Sequence, residues 1–483
     1  LSMEKDKKIS ADLQENTDII KELFSSSINS DFTIRTLDIK STGKKGALFF
    51  FRSAVNELKL QEAVIKPLLE ETGPSIPSIL TIEAMQTITS FNELTTQITS
   101  GNAVLLLDDE IEGLALNVAN FKHRSIATAD NENLLRGPKE AFTESLAVNI
   151  SLIRKRLQTE TLVIETAPIG KRMRDVVALV YMKDLLNDNI LETLKQRLKN
   201  IDVDSVRSIE MLEQYIEERP YSLMPSILYT ERPDRAAAFI EDGYLVLLKE
   251  NSSACLILPV TFWSFFHSPE DHYLRFLYAN FTRGLRAVAF FITLFVSAGY
   301  IAITNYHSEM IPPDLLLALA NARERVPFPG IIELLIMEFA FELIREAGLR
   351  IPKPLGPTIG IVGALILGQA VVEANVISPI IVIVTALSGL SSFAVADVSF
   401  NFTIRLSRFM FIIAGGLFGI YGLVVIFTMW LMYMVSLHSF GVPYFAPKSP
   451  HYKSGGDTIF RRILQKETYR PGYLKPEDLQ KKS

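Results

Sequence analysis

The sequence predicts an α+β protein in two unlike halves: two α/β subdomains in water, then an all-α domain that crosses a lipid bilayer several times. Charge distribution is the first observation. Residues 1–280 hold 31 of the 49 Lys and Arg and 41 of the 54 Asp and Glu, a net charge of −10, whereas residues 281–437 carry nine of each sign over 157 positions. The tail, 438–483, has nine basic and four acidic residues, net +5. Length is the second: 483 residues exceed one compact core, so several folding units are expected. The third is a series of long uncharged stretches confined to the region after residue 281.

The elements follow in order. Residues 1–30 form a polar lead-in without an apolar run of signal-peptide length, so the N-terminal half is expected in the cytoplasm. In the first subdomain, 31–135, Ala47 to Phe51 and Ala103 to Leu107 read as buried strands and Asn56 to Glu70 as a helix. Glu110 to Gly113 reads as a hairpin turn before Leu114 to Val118. The second subdomain, 136–280 with its linker, opens on an amphipathic helix, Lys139 to Leu157. Strands are expected at Thr161 to Glu165, Val176 to Met182, Ser226 to Tyr229, Tyr244 to Leu248 and Ala254 to Leu258, with a helix at Leu185 to Leu198.

Across 281–437, spans are expected at about 287–304, 358–372, 376–396 and 409–437; the last is 29 residues, enough for one tilted crossing. Residues 331–344 are apolar but hold three glutamates, and read as a partial or re-entrant segment. The basic tail, 438–483, favours the cytoplasmic side.

Composition excludes several functions. The acidic front half argues against nucleic acid. Cys255 is the only cysteine, so neither an intrachain disulfide nor a thiolate metal cage can form. Gly43-Lys44-Lys45-Gly46 lacks the spacing of a phosphate loop and reads as a turn. His267 and His272 bracket Glu270 and Asp271 at a spacing poor for a metal. Arg154-Lys155-Arg156 and Lys171 to Arg174 read as solvated faces or subunit contacts. No catalytic constellation assembles, so no enzyme, cofactor or metal is expected.

Two segments can carry chemistry. In Pro357 to Ala370, the small residues Gly360, Gly363, Ala364 and Gly368 allow close helix approach. Thr358, Val362, Leu365, Gln369 and Val372 share one helical face. That face either lines a pore, with Val362 and Leu365 as a constriction, or hydrogen-bonds neighbouring helices. Glu333, Glu338 and Glu342 lie in an apolar stretch; they either attract cations or pair with Arg345 or with other subunits. Asp397 has Arg405 as a possible partner.

Several blocks then carry a resemblance. They are Arg136-Gly137-Pro138-Lys139-Glu140-Ala141-Phe142 leading to Arg154-Lys155-Arg156-Leu157, Tyr229-Thr230-Glu231-Arg232-Pro233-Asp234-Arg235, and Arg323-Glu324-Arg325-Val326-Pro327-Phe328-Pro329. Glu342 to Pro352, Thr358 to Gln369 and Ser439-Phe440-Gly441-Val442-Pro443-Tyr444 continue the series. In this order, over about 136 to 447, they resemble the A subunits of GerA-type spore germinant receptors. One departure is Ala396-Asp397-Val398, where many members carry a proline.

The resemblance implies a subunit in the spore inner membrane that forms a homo-oligomer, a pentamer, and opens to monovalent cations when a germinant is sensed. It also implies two partners, a transporter-like B subunit and a lipoprotein C subunit. The alternatives are the stage V sporulation AF-type paralogue, which amplifies germination, and a solute transporter. No internal repeat of the kind carriers show is visible in the sequence.

Overall fold

The computed structural model describes residues 7–82, 84–122, 132, 136–350, 368–454 and 457–481. The first subdomain begins with α1 (Leu13–Leu23), whose free N–H groups at Gln14 and Glu15 are accepted by the Asp12 side chain. Its sheet comprises β1 (Phe32–Asp38), β2 (Lys45–Phe51), β3 (Met85–Ile88), β4 (Ala103–Leu107) and β5 (Gly113–Leu116), ordered β1-β2-β4-β5-β3. A helical stretch over 57–70 follows β2, as expected, and a further helix, α2 (Phe91–Thr99), precedes β4. Every strand pair is antiparallel. The unbroken apolar runs of β2 and β4 have a simple cause. Leu48, Phe50, Leu105 and Leu107 enter a core on one face, while Ala47, Phe49, Phe51, Val104 and Leu106 enter a core on the other.

The second subdomain repeats this plan. It starts with α3 (Leu146–Arg156) and continues through β6 (Leu162–Ile169), β7 (Asp175–Met182), α4 (Asp188–Lys199) and α5 (Ile209–Ile216). Then come β8 (Leu228–Thr230), α6 (Pro233–Glu241), β9 (Leu245–Lys249) and β10 (Cys255–Leu258). Strand order is β6-β7-β9-β10-β8, again antiparallel throughout. Counted within each subdomain, both sheets read first-second-fourth-fifth-third, and each is led by a helix. The expected helix from Lys139 starts only at Leu146. Thr143 and Asn149 explain the delay, because Thr143 N donates to Asn149 Oδ1 at 2.7 Å and Asn149 Nδ2 to the Thr143 carbonyl at 2.6 Å.

Arg154, expected on a solvated face or at a subunit contact, is instead fully buried between the subdomains of one chain. Its Nη2 lies 3.2 Å from Asp31 Oδ2, its Nη1 donates to the Leu162 carbonyl, and its guanidinium sits 3.9 Å from the Phe51 ring centre.

The apolar half contains α7 (Phe276–Tyr306), α8 (Pro313–Arg323), α9 (Gly330–Arg350), α10 (Pro379–Ser392) and α11 (Val398–Val435). Among the described residues, α7 and α11 are long and apolar enough to cross a membrane. The run 409–437, expected as one tilted span, is not one straight helix. Gly419 takes φ 61°, ψ −148°, which ends the helix, and the chain turns back on itself. Trp430 Nε1 reaches Ser407 Oγ at 3.3 Å and Phe427 packs on Phe411, contacts only an antiparallel hairpin allows. The groups freed at the turn are met by α7 and the residue after it. Tyr306 Oη donates to the Gly416 and Leu417 carbonyls at 3.0 and 2.8 Å, and Ile420 N donates to His307 Nε2 at 3.4 Å.

The bundle therefore has a base and an apex. At the base Arg219 of subdomain 2 donates to the Ser436 carbonyl, and Thr403 to that of Leu223. At the apex stand Tyr306, His307 and the turn. Side chains at Gly415 and Gly416 would collide with the α7 backbone and with Ile331 of α9, so both helices approach the hairpin closely there. From the base the tail returns over subdomain 2: Tyr444 Oη donates to the Pro225 carbonyl at 2.9 Å, and Tyr473 meets Tyr244. N-terminal half and tail lie on the same end of the bundle.

Candidate functional site

Within the bundle, five charged side chains meet. The spacing of Glu338, Glu342 and Arg345 puts them on one face of α9, while Arg405 and Arg408 share a face of the first hairpin arm. Glu338 Oε1 accepts from Ser297 Oγ of α7 at 2.7 Å, and Oε2 lies 2.8 Å from Arg408 Nη2. Arg408 also donates to Ser388 Oγ of α10 at 2.9 Å and to Glu342 Oε1 at 3.0 Å. Arg405 clasps Glu342 with two nitrogens. Arg345 donates to Ser392 Oγ and to the Gly389 carbonyl. Four helices are thus joined through two carboxylates and three guanidinia. Removing one partner from such a buried cluster leaves a charge uncompensated, at a cost of about 3–5 kcal/mol.

Glu333 stands apart, nearer the apex. It is fully buried; Oε2 accepts from Ser378 N at 2.8 Å, capping α10, and Oε1 lies 3.5 Å from Arg323 Nε. Each of Glu333, Glu338 and Glu342 therefore faces an arginine of the same chain, so the subunit does not present them as free cation-attracting carboxylates. The pairing reaches beyond Arg345 to Arg405, expected as a partner of Asp397, and to Arg408. Their signal was an i, i+3 arginine pair beside an uncharged run. Asp397 does not hold Arg405; it caps α11 by accepting from Phe400 N at 2.9 Å.

Of the face expected to line a pore, Thr358, Val362 and Leu365 lie outside the described residues. Gln369 is exposed and Val372 half-buried, on a helical stretch whose Gly368 neighbours Val382.

The motif residues converge at the base. Arg232 donates to the Pro138 carbonyl and to Asp234 Oδ2, whose other donor is Tyr273 Oη at 2.7 Å. Gly137, at φ 125°, has no room for a side chain against the Tyr273 ring. Arg235 binds Glu132 and the carbonyls of Ser264 and His267. At the start of α7, Arg283 and Arg286 engage the buried Asp271, and Arg283 also engages Asp457 of the tail. His267 and His272 flank Asp457 at 3.7 and 3.8 Å; no cluster fit for a metal ion occurs among the described residues. Burial alone would raise the Asp457 carboxyl, but the facing His267, Arg283 and His272 hold it down at about 2.

Comparison with known proteins gives a consistent picture. The family model for the Bacillus/Clostridium GerA spore germination protein matches residues 18–473. Spore germination protein KA of Bacillus subtilis is 36% identical over 93% of this chain and 85% of its own length. Spore germination protein B1 of the same organism is 33% identical over 97% of this chain and 99% of its own. An uncharacterized membrane protein of B. subtilis, YfkQ, is 35% identical over 97% and 92%. The crystal structure of the N-terminal domain of the A subunit of the Bacillus megaterium germinant receptor GerK3 covers 53% of this chain and 98% of that domain, at 26% identity and a TM-score of 0.42.

Proposed function

Because the chain belongs to the GerA family of spore germination proteins, among its A subunits, we propose that it is the A subunit of a nutrient germinant receptor and conducts monovalent cations. In this reading several copies, a pentamer, surround a water-filled axis in the spore inner membrane. A transporter-like B subunit senses the germinant and a lipoprotein C subunit completes the complex. The N-terminal half and the tail share the base of the bundle, and in this reading that side is the cytoplasmic one.

Gln369 carries the reading. It is an exposed amide on the outside of an apolar bundle. Facing lipid, its donors and acceptors would go unsatisfied at a cost of several kcal/mol, so that surface belongs against water or another copy. In this reading Thr358, Val362, Leu365 and Val372 share a helical face with Gln369 and form the pore lining.

The test is potassium release from dormant spores after germinant addition, in strains carrying Gln369→Leu or Gln369→Arg at normal subunit levels. A positive charge on the conduction path is expected to abolish early release, and leucine to slow it. Wild-type release in both strains overturns the proposal.

A further inference from the structure

We propose that the cavity between subdomain 2 and the C-terminal tail binds a small organic cation, a primary ammonium on a short apolar body. This inference does not depend on the conduction reading. The cavity, about 200 Å³, is walled by α6, by the connector from Thr261 to Tyr273, and by the tail. That is below the range of about 300–1,000 Å³ usual for drug-sized ligands, which limits the occupant to a small molecule.

Among the described residues, two carboxylate oxygens in the wall have no hydrogen-bond partner. Asp234, 8% exposed, gives Oδ2 to both Arg232 and Tyr273, and its Oδ1 is left alone. Glu467 of the tail likewise has a buried, unpartnered Oε1. Buried polar atoms are rarely left in that state, and an unpaired carboxylate oxygen asks for a donor with positive charge.

The basic groups nearby are already engaged. Arg235 holds Glu132 at 3.0 Å, Lys481 holds Asp242 at 2.7 Å, and His267 and His272 both face Asp457. The remaining wall includes the rings of Trp263, Tyr273 and Tyr473, surfaces suited to an alkyl body and to a cation over an aromatic face. An occupant would touch both α6 and the tail, pinning the tail to subdomain 2 beside the start of α7.

The experiment is calorimetric titration of the full-length protein in lipid nanodiscs with butylammonium, butyrate and butanol. Butylammonium is expected to bind saturably and the other two not. Glu467→Gln lies on the half-exposed tail and leaves the Arg232 pairing intact; it should weaken butylammonium binding about tenfold, or about 1.4 kcal/mol. Asp234→Asn is the second variant, expected to act in the same direction. Three results would overturn the site: no saturable butylammonium binding, equal binding of butyrate or butanol, or wild-type binding in both variants. The first of these would leave water as the occupant.

Discussion

The two N-terminal subdomains share one strand order yet are attached to the molecule in opposite ways. Subdomain 1 keeps its apolar residues to itself, in two cores on the two faces of its sheet. Subdomain 2 has no such boundary. Its core runs from Phe142 through β6–β10 into Phe290, Phe400 and Trp430 of the helices, and on to Tyr473 of the tail. One fold thus serves once with apolar cores of its own and once as the footing of a helical bundle. The difference lies in an aromatic cluster in which Phe262, Phe265 and Phe266 of subdomain 2 meet Phe290 of α7 and Phe400 of α11.

Truncating the clusters should expose this contrast most strongly. Phe400→Ala is expected to cost about 3–5 kcal/mol and to open subdomain 2, the helices and the tail together. Phe49→Ala, equally buried, should cost as much and open subdomain 1 alone. Hydrogen exchange resolved by peptide distinguishes the two patterns, and joint opening in both variants would erase the distinction.

Next in size is the buried contact between the subdomains. Arg154→Met should destabilise by about 3 kcal/mol, because Asp31 keeps its charge while losing its buried partner. Adding Asp31→Leu should recover part of that loss in thermal unfolding. Asp31 also accepts from Ser53, so recovery will be incomplete.

A smaller effect sharpens the seam between subdomain 2 and the hairpin. Glu213 is raised to about 8, first by burial and then by Glu217, Asp397 and Glu210. The folded chain then keeps a proton that the unfolded chain releases near the ordinary carboxylate value. Stability attributable to this group falls as pH rises from about 4.5 toward 8 and is level above. Glu213→Gln should remove that slope and raise the melting temperature at pH 8, a gain of about 0.5–1 kcal/mol after allowance for solvent screening. A slope unchanged by the substitution would remove Glu213 from the account.

Much of this was legible in the sequence. Ala103 to Leu107 announced a doubly covered strand because every residue is apolar, and the charge census separated the apolar half from the rest. The repeat of one topology was not legible, because strand order is set by tertiary pairing and leaves no periodic mark. The hairpin was hidden for a different reason. Arg405 and Arg408 look like the end of an apolar segment, yet Glu342 and Glu338 neutralise them inside it, so the first arm begins eleven residues before the uncharged run at 409. Likewise, Arg154 sits in a run of three basic residues, and only the fold shows that the middle of the protein closes over it.

Cysteine accessibility along 358–372 tests conduction most directly, because Cys255, the chain's only cysteine, is buried and introduced thiols would react alone. Cysteines replacing Val362, Leu365 and Gln369 should each make germinant-triggered potassium release sensitive to a charged thiol reagent, while those at Ile359, Ile366 and Ala370 should not. Block confined to the second set, or to neither, would contradict a pore lined by this face.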